Sequence, residues 1–120
     1  MIRGPQAIER IEATFPQLSA SLHDSIAEGL LHLQIAEFAR LIQAFVDTHA
    51  SQSLDTAYQL FVELYEQGSP ALLNALNVSL LENISFDEHD QHWAYDRMPP
   101  TMRTAYDDMV EYNQRIHGGD

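Results

Sequence analysis

The stretch from Ser69 to Phe86 constrains this chain more than any other part of its sequence. Its apolar residues would cover most of a helix surface, and a helix that is apolar nearly all round is normally buried. Ser69 suits the N-cap, Pro70 suits the first turn, and the segment is shorter than the about 20 apolar residues of a membrane span. We therefore predict a buried central helix at about residues 70–84. Its apolar positions are Leu72, Leu73, Leu76, Leu80, Leu81 and Ile84, with Ala71, Ala75 and Val78 between them.

Two asparagines, Asn74 and Asn77, interrupt this apolar helix. A buried amide needs hydrogen-bond partners, so we expect both side chains to tie down neighbouring backbone or a helix end. The alternative is that they line a binding site.

Apolar residues spaced by three and four predict helices along the rest of the chain, and no stretch alternates like a strand. We therefore predict an all-α fold, in which one domain over residues 1–120 forms a compact bundle of about six to seven helices around the central one. The further helices are expected at residues 5–14, 17–29, 30–48, 51–66, 91–97 and from 100 to a stop at Gly118.

Local patterns add detail to two of these helices. In the 30–48 helix, Leu30 and Leu33 should lie on the apolar face and Gln34 on the polar stripe. Ser51 or Ser53 should cap the next helix, and Gly68 should end it.

The charge limits the classes of partner. The chain has eighteen acidic residues, six arginines and no lysine, which gives a net charge of −12. This charge opposes binding to nucleic acid or to an anionic membrane. It would attract a basic protein, although acidity can also serve solubility alone. The chain has no cysteine, and its N-terminus lacks a signal-peptide run, so we expect a cytoplasmic protein without disulfides.

Motifs for catalysis are absent from the sequence. There is no glycine-rich phosphate loop, no cysteine nucleophile and no HExxH motif, so we predict neither an enzyme nor a cofactor. The best metal candidate is the pair His89 and His92, which carboxylates flank. Acidic residues also favour a helix N-terminus without any metal, and we predict no metal site here.

Acidic and aromatic residues are interleaved near the C-terminus. The 34 residues from Asp87 onward contain eight acidic residues and three arginines, and Trp93 and Tyr106 are among their aromatic residues. Acids with tyrosine and tryptophan are typical of a surface that grips a basic protein. Alternatively, Trp93 and Tyr106 belong to the core and the acids only solvate the surface. The predicted partner-binding residues are Asp87, Glu88, Asp90, Tyr95, Asp96, Asp107, Asp108, Glu111 and Tyr112.

Three stretches carry a resemblance: GLLHLQIAEFAR at 29–40, NALNVSLLENISF at 74–86 and WAYDRMPP at 93–100. Between about Phe15 and Tyr112 the chain resembles a bacterial family of small acidic helical proteins that occur beside polymorphic secreted toxins as proposed immunity proteins. The resemblance implies a protein that neutralises a cognate toxin by tight non-covalent binding, and the charge suggests that this toxin is basic. Two alternatives remain, namely a helical adaptor for another protein and a metal-dependent hydrolase that uses the loop from Asp87 to His92.

Overall fold

The chain folds into seven α-helices over residues 1–117, which are the residues that this computed structural model describes. The predicted all-α fold is confirmed, and the predicted stop at Gly118 lies outside the described residues. None of these helices is long and apolar enough to cross a membrane. The helices are α1 (Gly4–Thr14), α2 (Ser19–Leu22), α3 (Leu31–Asp47), α4 (Ser51–Gln67), α5 (Pro70–Ala75), α6 (His92–Asp96) and α7 (Pro100–His117), with 3₁₀ turns at Pro16–Leu18, Leu81–Asn83 and His89–Gln91.

The predicted central segment is buried on one side only, since Ala71 and Val78 are exposed, and it is not one regular α-helix. Ser69 caps α5, since its hydroxyl oxygen accepts from the Leu72 N–H at 3.3 Å. After α5 the chain forms a π-helical turn at Leu76–Leu80 and a 3₁₀ turn at Leu81–Asn83. The leucines at 72, 76, 80 and 81 are all fully buried, so the apolar pattern places this segment in the core as expected.

The two longest helices before the centre, α3 and α4, supply the rest of the core. Phe38 and Ile42 on α3 and Phe61 on α4 are fully buried. Tyr58, also on α4, donates its buried hydroxyl to the Ala94 carbonyl at 2.9 Å. This hydrogen bond ties α6 to the core and so fixes one wall of the site described below.

The N-terminus closes the junction between α4 and α5. Ile2 is buried, donates its N–H to the Gln67 carbonyl and accepts from the Ser69 N–H, each at 2.7 Å. Gly68 ends α4 as predicted. A Cβ at this position would lie 2.5 Å from the Leu64 carbonyl oxygen, so the close approach of the backbone requires glycine there.

The helix predicted at residues 17–29 is wrong. A 3₁₀ turn and the four-residue α2 fill only its first part. Asp24 then accepts from the Ile26 and Ala27 N–H groups at 2.9 and 2.7 Å, which gives the backbone an alternative to helical bonding. Gly29 has φ +76°, in the left-handed region that favours glycine.

The two central asparagines do not have the predicted buried role. Asn74 is exposed and Asn77 is only half-buried. The buried polar residue of this segment is Ser79, whose carbonyl accepts from the Asn83 amide at 2.8 Å. The error arises because Asn74, on α5, and Asn77, in the π-helical turn, lie on the outer side of the segment.

Three local predictions for α3 and α4 are also wrong. Leu30 and Leu33 are exposed, whereas Gln34 is buried and donates its amide to the Leu22 carbonyl at 2.9 Å. The end of α2 needs this donor, so a polar side chain occupies a core position. Neither Ser51 nor Ser53 caps α4, because Ala50 occupies the N-cap position.

Candidate functional site

A groove lies between the loop that follows residue 85, α6 and α7. We call it the acidic groove, and its volume is about 610 Å³. It has carboxylates around an aromatic wall, and no arginine is among the lining residues in the described part of the chain. It is lined by Phe86, Asp87, His92, Tyr95, Asp96, Tyr106, Asp107, Val110, Glu111 and Gln114.

Three aromatic rings form the wall of the acidic groove. The Phe86 ring meets Tyr106 and Tyr95 edge to face, with centroids 5.3 and 6.0 Å apart. Tyr95 and Tyr106 are themselves 6.1 Å apart. Phe86 is buried and both tyrosines are half-buried, so the cluster joins the core to the groove. Edge-to-face pairs of this kind stabilise a rigid arrangement.

Hydrogen bonds from α3 hold the loop in place. The Gln43 amide donates to the Ser85 carbonyl at 3.1 Å and accepts from the Ser85 N–H at 2.8 Å. Asp47, one turn further along α3, accepts from the Gln91 amide at 2.7 Å. Both ends of the loop that carries Asp87 are therefore anchored on α3, which gives the groove a fixed edge.

Arg103 joins the two helices that form the groove. Its Nη2 donates to the carbonyls of Tyr95 and Asp96 at 3.0 and 2.6 Å. Its guanidinium carbon also lies 5.0 Å from the centroid of the Tyr95 ring. An arginine of the protein itself thus makes a cation–π contact with the aromatic wall. Arg103 is used in holding the C-terminal end of α6 to α7.

The two tyrosines of the acidic groove have raised pKa values. Tyr95 donates to Asp107 at 2.8 Å, and this hydrogen bond is the main reason that the pKa of Tyr95 is raised. Burial raises the pKa of Tyr106, and the charges of Asp87 and Asp107 raise it further. Burial disfavours the charged phenolate of Tyr106, and a phenolate at either position would also add a negative charge beside these carboxylates.

Five of the predicted partner-binding residues meet at the acidic groove. The chain turns between α6 and α7, where Pro99 and Pro100 lie, so that α7 returns beside the loop. Not all the carboxylates are free, because Asp107 accepts from Tyr95 and Glu111 pairs with Arg115 at 2.7 Å. The five residues are Asp87, Tyr95, Asp96, Asp107 and Glu111.

The other four predicted residues do not line this groove. Asp108 and Tyr112 lie on the other side of α7, since successive helical residues are about 100° apart. Asp90 is exposed, with its Oδ2 atom 4.0 Å from Nε2 of His49. Glu88 is exposed before the 3₁₀ turn, and its N–H bonds to the Gln91 side chain at 3.0 Å. These four residues therefore lie outside the acidic groove, and their part in partner binding stays a prediction.

The two histidines that were the best metal candidate in the sequence lie edge to face. The rings of His89 and His92 have centroids 6.2 Å apart. Residues 1–117 contain no group of three or more His, Cys, Asp or Glu side chains that would hold a metal ion.

Trp93, which the sequence placed either in the surface or in the core, is half-buried and stacks on His49 at 4.9 Å.

Sequence reasoning did not assign Phe86, Tyr106, His92, Val110 and Gln114 to the site. A signal was present on α7, because residues 106, 107, 110, 111 and 114 recur at the three- and four-residue spacing of one helix face. Phe86 resembled a core residue, and it is one.

The fold and the groove define this protein as a small all-α protein with a carboxylate-rich, aromatic-walled surface site. The family model described as "Domain of unknown function (DUF7674)" matches residues 8–114. The chain therefore belongs to this family, whose description assigns no activity. No curated protein and no solved structure matches the chain.

Proposed function

We propose that this protein is an immunity protein, which neutralises a basic protein toxin in the cytoplasm by tight non-covalent binding and without turnover. The observation that supports the proposal is the acidic groove, where four carboxylates surround an aromatic wall without an arginine among the described lining residues. The resemblance to acidic helical proteins encoded beside secreted toxins adds the biological role.

The groove has the physical properties that recognition of a basic surface requires. A guanidinium or ammonium group that entered it would meet Asp87 and Asp96 as counter-ions and the tyrosine rings as partners for cation–π contacts. Aromatic anchors in a partly dehydrated pocket supply much of the affinity at protein interfaces. The net charge of −12 would steer a basic partner toward this protein and speed association.

The carboxylates would stand where the phosphates of a nucleic acid stand if the toxin acts on nucleic acid. In that arrangement the protein would cover the basic surface that the toxin uses for its substrate. Attraction of this kind weakens as salt screens the charges. Binding should therefore weaken as the salt concentration rises, and the decrease should come mainly from slower association.

The test is a growth assay in which this chain is co-expressed with the product of the gene beside its own. We expect the neighbouring gene alone to stop growth and co-expression to restore it, with a stoichiometric complex of the two purified proteins. If the neighbouring product is harmless, or if it kills equally with and without this chain, the proposed role is wrong. Stable binding to a different, non-toxic protein would favour the adaptor function instead.

A further inference from the structure

A second groove lies on the other side of α7, against the π-helical turn. Its volume is about 380 Å³, and Tyr65, Val78, Met109 and Tyr112 are among its lining residues. The side-chain amide of Asn113 donates to Glu82 at 3.3 Å and so links α7 to the 3₁₀ turn that follows the π-helical turn. We call this site the apolar groove.

The π-helical turn shapes one wall of the apolar groove. Leu76 and Leu80 at the ends of the turn are fully buried, whereas Val78 between them is 46% exposed. A π turn is rare and is frequent at functional sites, since it widens the helix locally. Here the turn keeps two leucines in the core and leaves an apolar side chain at the edge of the groove.

The last two turns of α7 extend the apolar surface past the core. Met109, Tyr112, Asn113 and Ile116 follow the spacing of one helix face. Met109 is half-buried at the start of this stripe, whereas Tyr112 and Ile116 are 60% and 55% exposed. The face that packs on the molecule at Met109 thus becomes mostly exposed at Tyr112 and Ile116. Exposed apolar residues in such a row are typical of an interaction site.

Charges at this surface indicate the chemistry of its occupant. Glu82 and Asp108 line the apolar groove, and no arginine lines it within residues 1–117. An occupant must therefore place apolar side chains between positive ones. An amphipathic helix with a stripe of leucine or similar residues flanked by lysine or arginine has this pattern, and helices commonly bind in apolar grooves.

We propose that the apolar groove and the exposed end of α7 bind such a basic amphipathic helix of the partner. Its apolar stripe would pack on Val78, Tyr112 and Ile116, and its cations would face Glu82 and Asp108. This inference rests on the proposed function, because the helix would belong to the same basic partner. The partner would then hold α7 from both sides, with the acidic groove on one side and the apolar groove on the other.

A second copy of this chain fits the surface less well. Each copy would bring the acidic residues of its own groove against those of the other, and like charges held close repel one another. With a net charge of −12, the whole molecule opposes self-association in the same way. The charges therefore favour a partner of opposite sign.

The test uses a synthetic peptide of leucine and lysine in amphipathic order, about four helical turns long. Its control has glutamate at every lysine position. We expect the lysine peptide to bind and to shift the amide NMR signals of Val78, Tyr112 and Asn113, and the glutamate peptide not to bind. Equal binding of both peptides, or shifts confined to the acidic groove, would overturn the inference.

A matched pair of variants makes the test independent of folding. Ile116→Ser should weaken the lysine peptide about tenfold, as the loss of one apolar anchor does at an interface. Ile26→Ser is the control, since Ile26 is 73% exposed on the turn before α3. Equal affinities of the two variants would overturn the inference, as would a dimer that Ile116→Ser dissociates. Toxin neutralisation without peptide binding would overturn this inference alone, whereas peptide binding without neutralisation would overturn only the proposed function.

Discussion

At the scale of single residues, His23 lies between two glutamates that favour its protonated form. Its Nδ1 lies 2.6 Å from Glu28 and its Nε2 lies 2.9 Å from Glu12. The hydrogen bonds to Glu28 and Glu12 raise the pKa of His23 above its ordinary value of 6.5. The hydrogen bonds from Ser19 and His23 lower the pKa of Glu12 below 4.5. The imidazolium form of His23 can donate to both carboxylates at once.

These shifts fix the sign of a pH dependence. A raised histidine pKa stabilises the fold below the unfolded value of 6.5, and this stabilisation is lost as the pH rises through the folded pKa. The lowered pKa of Glu12 stabilises the fold above 4.5, and this contribution is lost in acid. Both contributions are therefore present together between these two values.

We predict that His23→Gln lowers the melting temperature more at about pH 5.5 than at about pH 8.5, because only the protonated imidazole bridges both carboxylates. Thermal unfolding of the two proteins across this range measures the difference. Glu28→Gln, which removes one of the two carboxylates, should show the same trend more weakly. An equal loss at both pH values would show that the bridge does not depend on the charge of His23.

Tyr58 gives a second prediction at this scale. Its hydroxyl is the donor to the Ala94 carbonyl, and both residues are buried. Tyr58→Phe would remove this hydrogen bond and leave the Ala94 carbonyl only the longer bond from the Arg97 N–H at 3.3 Å. This loss should cost about 1 kcal/mol in urea unfolding. Tyr112→Phe, at a 60% exposed position, should change the free energy of unfolding by less than about 0.5 kcal/mol. Equal effects of the two changes would mean that the buried hydrogen bond contributes nothing.

At the scale of elements, substitutions in the π-helical turn Leu76–Leu80 test whether the central segment forms the core. Leu76→Ala and Leu80→Ala should each destabilise the protein by about 2–5 kcal/mol, because both leucines are fully buried in a packed interior. Val78→Ala is the control within the same turn and should cost less than about 1 kcal/mol. Chemical denaturation measures all three. A loss below about 1 kcal/mol at both leucines would mean that the segment is not the core.

Sequence patterns identified the long helices but not the π-helical turn. The three- and four-residue spacing of apolar positions predicted α1, α3, α4 and α7 because each buries one face. A π turn has no such pattern in the sequence, and here it joins α5 to the 3₁₀ turn Leu81–Asn83. The wrong helix at 17–29 has a local cause, because Asp24 bonds to the backbone of its own turn.

The candidate site was predictable to the extent that it depends on helix faces. Asp107 and Glu111 are four residues apart and so share a helix face by spacing alone, and Pro99 and Pro100 mark the turn after which they lie beside Asp87. The separation of Asp108 and Tyr112 from this surface depends on how far α7 is rotated about its axis. Only tertiary packing sets that rotation, and the acidic character of both sides of α7 concealed it from the sequence.

At the scale of the whole molecule, four of the six arginines form ion pairs with carboxylates of the protein itself. Arg10 pairs with Glu63, Arg40 with Glu37, Arg97 with Asp55 and Arg115 with Glu111. Exposed pairs of this kind contribute little to stability. These pairs do affect the electrostatics of the acidic groove. Among the described residues, Arg115 is the only arginine that pairs with a carboxylate of the groove, so the other groove carboxylates are not neutralised by an arginine. The uneven charge that remains is what a basic partner would recognise.

The central claim is that the acidic groove, rather than the net charge, binds the partner. Two exposed acids make a matched pair, since neither the Asp96 nor the Glu9 carboxylate has a hydrogen-bond partner among residues 1–117, and only Asp96 lines the groove. Each change to lysine alters the net charge equally.

The decisive measurement is the dissociation constant of each variant with the purified partner at low salt. Asp96→Lys should weaken binding by about tenfold or more, because a repulsion replaces an attraction inside the site. Glu9→Lys should change it by less than about threefold, through long-range steering alone. Melting temperatures of both variants should match the parent protein. Equal dissociation constants for the two variants would contradict the account and place the contact outside the acidic groove.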